Sequence, residues 1–149
     1  MFVRHRLHTM RLAPLILVLA LIAGCAHDDA RLHGTWHSNQ NATVAVAFQR
    51  DPHWTNAPPE KIERFKDMFG HMTVTYSNGV ATSDYRGEVG SFRYRVIEQG
   101  TNYVIIHCDT PINWGNSRIT FVDGGTSYWI DTGPLGFGLQ ERFDKVQNK

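Results

Sequence analysis

From residue 34 onward, apolar and polar side chains mostly alternate one by one, the period of a strand with a single buried face. Trp36 opens the series in the segment 34–38. In 43–49, Val44, Val46 and Phe48 alternate with Thr43, Ala45, Ala47 and Gln49. Met72, Val74 and Tyr76 share one face of 71–77. Asn78-Gly79 then marks a two-residue hairpin turn, and 80–86 returns. Phe92, Tyr94 and Val96 line one face of 91–99, with Arg93 and Arg95 on the other. Four further segments follow: 103–109, 117–123 with Ile119 and Phe121 inward, 126–131, and 139–146 with Leu139 and Phe143 inward. Gly-, Asn- and Asp-containing turns at 100–102, 123–125 and 133–138 separate them.

One segment breaks the period. After the prolines Pro52, Pro58 and Pro59, the residues Ile62, Phe65 and Phe69 recur at helical spacing, and the intervening side chains are charged. Pro59 suits a first helical turn and Gly70 a helix stop. The pattern predicts one amphipathic helix over 59–69. The fold class is therefore all-β with one short helix. Nine candidate strands joined by short turns make an antiparallel up-and-down meander. Such a meander with one apolar face abolishes its edges by curling into a barrel. An open sheet backed by the helix is the alternative.

The first 26 residues read differently. Arg4, Arg6 and Arg11 occur with no acid, and 12–26 is an uncharged run of 15 residues. A spanning helix needs about 20 residues, so a basic segment followed by a short apolar run reads as a signal peptide over 1–24. The run ends Leu21-Ile22-Ala23-Gly24-Cys25, which resembles the lipobox of bacterial lipoproteins. The resemblance implies cleavage between Gly24 and Cys25 and a lipid on the Cys25 thiol, hence a protein anchored in the cell envelope by acyl chains such as palmitate. Ala26 stands where Asp often signals inner-membrane retention. In a Gram-negative cell this implies the outer membrane, facing the periplasm. Residues 25–32 then read as a tether and 33–149 as one β domain.

Composition narrows the picture. The 149 residues are 42% hydrophobic and 19% charged, which excludes a disordered chain or a multi-span membrane protein. The net charge is +1, and without the three leader arginines 12 basic face 14 acidic residues. Nucleic acid, which demands a basic surface, is not an expected partner. The only cysteines are Cys25 and Cys108. With Cys25 acylated, Cys108 has no disulfide partner, and its apolar strand makes it a buried, inert thiol.

Gly34-Thr35-Trp36 resembles the first-strand motif of the lipocalin and fatty-acid-binding protein superfamily, whose up-and-down barrels bind small apolar molecules. The resemblance implies that Trp36 crosses the barrel floor, packed under a basic side chain from the last strand. Arg142 is the candidate for that side chain. The predicted helix, after the second strand, departs from both known arrangements.

Little else carries chemistry. Of the six histidines beyond Cys25, His33 and His37 share a strand face opposite Trp36 and therefore point to solvent. No His-Glu-x-x-His, Cys-x-x-Cys or Gly-x-Ser-x-Gly occurs, so no metal, cofactor or enzymatic activity is expected. Glu141 stands out because it falls between Leu139 and Phe143 on the inward phase, where a carboxylate needs a partner. Arg93, Arg95 or a ligand are the options. Eight Phe, five Tyr and four Trp supply an aromatic interior that either lines a ligand cavity or fills the barrel solid. Two functions follow. The first is a lipid-anchored barrel that binds a small apolar ligand, with Trp54, Tyr76, Tyr94 and Trp114 as candidate contacts. The second is a filled barrel that docks other envelope proteins through the loop tryptophans Trp54 and Trp114.

Overall fold

A computed structural model of the chain describes residues 28–109, 115–131 and 140–147. Eight antiparallel strands form a closed barrel in sequence order: β1 (Gly34–Ser38), β2 (Met72–Ser77), β3 (Val80–Tyr85), β4 (Glu88–Gln99), β5 (Tyr103–Asp109), β6 (Asn116–Val122), β7 (Ser127–Asp131) and β8 (Gln140–Lys145). The barrel closes where β1, already paired with β2, pairs with β8 through Trp36–Lys145, His37–Asp144 and Ser38–Phe143. The meander and its closure thus follow the alternation read from the sequence. At the β2–β3 hairpin Asn78 and Gly79 both take positive φ, 49° and 73°, the geometry that matches the twist of the flanking strands.

The count of strands is eight because 43–49 is not a strand. It lies inside helix α1 (Gln40–Arg50). Asn39 caps α1, its side-chain oxygen accepting the Ala42 N–H at 2.9 Å. The buried residues Thr43, Val44 and Ala47 fall on one helical face. Val44, Val46 and Phe48 satisfy period two while Val44, Ala47 and Phe48 satisfy the i, i+3, i+4 spacing, and three alanines favour the helix. The predicted helix 59–69 is observed as α2 (Pro59–Lys66), with the buried Phe69 just beyond it. Gly70 ends the segment at φ 84°, and a Cβ there would meet the Gln40 Cβ at 2.8 Å. Both helices lie in the β1–β2 connection. Val44, Ala47, Phe65 and Phe69, with Phe48 and Trp54, form a small core separate from the barrel interior.

Residues 28–32, read above as part of a tether, seal one end of the barrel. Leu32 is fully buried, and its carbonyl accepts the Trp36 indole N–H at 2.7 Å. Arg31 pairs with Asp29 at 2.7 Å and donates to the carbonyls of Gly100 and Thr101, both at 2.9 Å. This closed end, the floor, holds Leu32, Trp36, Tyr94, Val104, Ile119 and Phe121, all buried. Trp36 packs on Tyr128 with centroids 4.7 Å apart. A basic side chain does cover Trp36, but it is Lys145, whose Nζ stands 5.0 Å from the ring. Arg142 is on the outer face, over Trp129 and paired with Asp123 and Asp144. The pleat dictates this correction: with Phe143 inward, Lys145 is inward and Arg142 outward.

Candidate functional site

Above the floor the barrel is hollow. A cavity of about 420 Å³ opens toward the end that carries the β1–β2 connection. Its walls are Met72, Val74, Phe92, Ile106, Ile130 and Phe143, and Tyr76 and Tyr128 also line it. Tyr128 touches both regions, packing against Trp36 of the floor and stacking on Phe143 at 5.2 Å. Seven of the eight strands contribute a lining side chain, β1 alone excepted. Alternation sets most of the lining, with Met72, Val74 and Tyr76 on β2, Ile106 and Cys108 on β5, and Glu141 and Phe143 on β8; Asp131, next to Ile130 on β7, is the exception at the mouth.

The polar groups in this cavity are few and unusual. Glu141 lies among apolar side chains, and burial raises its carboxyl pKa above the ordinary value, with a hydrogen bond from Ser38 opposing the shift. The Ser38 hydroxyl donates to Glu141 Oε1 at 2.5 Å and accepts the Gly70 N–H at 2.8 Å. It thereby ties the carboxylate to the segment following α2. Arg93 and Arg95 are exposed on the outer face of β4, so neither neutralises Glu141. The second carboxylate of the lining, Asp131, is exposed at the mouth and accepts from Gln140 at 2.9 Å. No Lys, Arg or His stands among the described lining residues.

The Tyr128 hydroxyl is fully buried and, among the described residues, is the one buried side-chain polar atom without a hydrogen-bond partner. It lies close enough to the Tyr76 hydroxyl for each to shift the other's pKa, and it senses the charge of Glu141, but the two hydroxyls do not meet at hydrogen-bond geometry. A buried unpaired hydroxyl costs about 1–3 kcal/mol. Burial also pushes the Tyr76 hydroxyl to about 12 and the Cys108 thiol to about 11, so both are neutral at physiological pH. For Cys108 this agrees with an inert thiol, although it is half-buried and lines the cavity.

The residues singled out by sequence separate clearly. Tyr76 lines the cavity. Tyr94 lies below it, T-shaped against Tyr76 at 5.3 Å, and its hydroxyl donates to Asp28 at 2.5 Å. Tyr94 therefore holds the floor and is not among the described residues that line the cavity. Trp54 is folded onto Phe65 and Phe48 in the helical core, at 4.1 and 6.2 Å between centroids. It belongs to neither an exposed rim nor the cavity. Trp114, Gly24 and Cys25 lie outside the described residues. Glu141, noticed for its inward phase, is in the cavity. Ser38 and Tyr128 were not legible as site residues, because their roles depend on which strand ends meet.

His33 and His37 are exposed on the outer face, and His33 bonds Asp28 at 2.6 Å. Among the described residues no three His, Cys, Asp or Glu side chains gather in a way that could hold a metal ion. No protein-family model matches the chain, so the cavity's own chemistry is what points to a function.

Proposed function

We propose that the protein is a lipid-anchored envelope lipoprotein whose barrel binds a small, mainly apolar molecule. The observation that carries this reading is the cavity of about 420 Å³, apolar along its walls, in a barrel whose other half is tightly filled. Eight-stranded barrels have interiors that side chains can fill. A void of this size among otherwise packed rings forfeits dispersion contacts and is kept at a cost in stability. Its volume falls within the range of small-molecule sites, about 300–1,000 Å³. The Gly34 and Trp36 motif and the Lys145 cover are in keeping with a lipocalin-like barrel.

Anchoring rests on the leader and on Leu21-Ile22-Ala23-Gly24-Cys25. Two or more acyl chains hold a protein stably at a membrane, where one chain is marginal. Metabolic labelling with a fatty-acid analogue tags the wild type and leaves Cys25→Ser untagged if Cys25 is the lipid site. For ligand binding, the decisive measurement is fluorescence of the neutral probe N-phenyl-1-naphthylamine. Its emission rises on entering an apolar cavity. Cys108→Leu, which projects added carbons into the void, lowers probe affinity and leaves the denaturation midpoint near wild type. A probe that gains no fluorescence, or binds Cys108→Leu equally well, overturns the reading.

A further inference from the structure

The cavity's polar groups are more informative than its walls. Glu141 and Asp131 line it, and among its described lining residues there is no basic side chain to answer them. The segments joining β5 to β6 (110–114) and β7 to β8 (132–139) contain no charged residue in sequence. The arginine next to Glu141 in sequence, Arg142, is on the opposite face of β8 and held by Asp123 and Asp144. Ser38 supplies Glu141 with one hydrogen bond, which leaves most of the carboxylate's accepting capacity unused. Tyr128 adds a buried hydroxyl with no partner. A carboxylate and an orphan hydroxyl in an apolar cavity form an incomplete constellation: buried polar groups are normally paired, and those at a binding site are paired by the ligand.

We infer that the ligand bears a protonated amine on its apolar body, seated between the Glu141 carboxylate and the Tyr128 hydroxyl, and that the cavity disfavours carboxylated molecules. This rests on the ligand-binding reading above and narrows it to a chemical class. An ammonium brings three N–H donors and one positive charge. Glu141 and the Tyr128 oxygen both accept, and the charge offsets the cost of keeping a carboxylate in a low-dielectric site. A fatty acid brings no donor for Glu141 and, wherever Glu141 is ionised, sets a like charge beside it in a low-dielectric site. Without a ligand, burial favours the protonated Glu141 carboxyl. On binding an ammonium, that proton leaves to solvent as the ion pair forms. The other titratable groups lining the cavity are Asp131, Tyr76, Tyr128 and Cys108. Burial keeps the two tyrosines and the cysteine neutral through this range. Affinity for the cation therefore rises with pH through the Glu141 titration.

The test uses three ligands of one chain length and different heads: octylammonium, 1-octanol and octanoate. Each displaces N-phenyl-1-naphthylamine from the purified full-length protein near neutral pH. Octylammonium is expected to compete about tenfold better than octanol, and octanoate worse than octanol. Glu141→Gln keeps an acceptor for Ser38 and should bring octylammonium down to the level of octanol, with octanol unchanged. Asp131→Asn, at the mouth, should weaken the preference only slightly. Octanoate equal to octylammonium, or a cation preference that survives Glu141→Gln, overturns the charge selectivity while the ligand site stands. If neither the probe nor octanol enters the barrel, the ligand-binding reading falls and this inference with it.

Discussion

The two ends of this barrel are built on opposite principles. At the floor the half-buried Asp28 and the buried Asp29 are both answered by partners. Arg31 bridges Asp29 and the carbonyls of Gly100 and Thr101, and Asp28 accepts from Tyr94 and pairs with His33. The Arg31 guanidinium is the main reason the Asp29 carboxyl lies below its usual range. Burial works against the charge on Asp28, yet its hydrogen bonds from Tyr94, His33 and the Asp29 amide outweigh that and lower its pKa as well. Toward the mouth the balance reverses. Glu141 has one hydroxyl for company and its pKa is raised, and Tyr128 has no partner. The same fold thus spends one end on stability and leaves the other unsatisfied, as a site that awaits a ligand would be.

The comparison breaks most sharply at Trp36. It is fully buried, packed on Tyr128 and bonded to Leu32. Trp36→Ala should cost about 3–5 kcal/mol, a large share of a typical domain's stability, by lost transfer energy and a cavity. Denaturant melts measure this directly. A wild-type midpoint for Trp36→Ala would show that the floor is not where the stability resides.

Arg31→Ala leaves Asp29 buried with its charge partner gone and two loop carbonyls without their donor. A loss of about 1–3 kcal/mol is expected. Hydrogen exchange at Leu32 and Trp36 should speed up with it, since the segment 28–32 is stapled to the β4–β5 turn by this side chain. Unchanged exchange at both residues would reduce Arg31 to a surface ornament.

The two ends should also answer pH with opposite signs. Glu141 binds its proton more tightly folded than unfolded. Its contribution to stability is complete below the ordinary value of 4.5 and is lost as pH rises through the raised folded value. Asp28 and Asp29 behave in reverse, contributing above their ordinary 3.8 and losing that contribution as pH falls through the lowered values. Glu141→Gln should therefore gain on wild type as pH is raised from about 4 to 7. Asp29→Asn should be less stable than wild type near neutrality, with the gap closing in acid. Parallel pH–stability curves for the two variants would remove the distinction between the ends.

The smallest effect sharpens the account of the floor. Lys145 covers Trp36, whereas Arg142 covers Trp129 on the outside. Lys145→Met, which keeps the aliphatic stem, should lose only the cation–π part, about 0.5–1 kcal/mol. A loss near that of Trp36→Ala would mean that Lys145 holds β1 to β8 by more than its charge.

Much of this was legible residue by residue. Period-two alternation located seven of the eight strands between 71 and 146 together with the first at 34–38, and Asn78-Gly79 marked its hairpin. The inward phase of Glu141 was visible too. So was the outward phase of Arg142, which follows from placing Phe143 inward, although the motif resemblance pointed to it as the cover for Trp36. The segment 43–49 was ambiguous for a physical reason: Val44, Val46 and Phe48 fit a strand face while Val44, Ala47 and Phe48 fit a helical one, and only the Asn39 cap and the small core of Phe65 and Phe69 choose the helix.

By itself the sequence determined which side chains face inward, because the pleat forces alternation once a strand exists and turn residues limit where strands end. It also determined the order of strands, since short connections leave consecutive strands antiparallel neighbours. Only the tertiary structure decided that 28–32 seals the floor, that Ser38 meets Glu141, and that the Tyr128 hydroxyl is left alone above a filled half and below an empty one. Those outcomes depend on the stagger with which β1 and β8 close the barrel and on how inward side chains from eight strands divide one interior volume. Residues 103 positions apart meet there, as Ser38 and Glu141 do, and no local pattern encodes such a meeting.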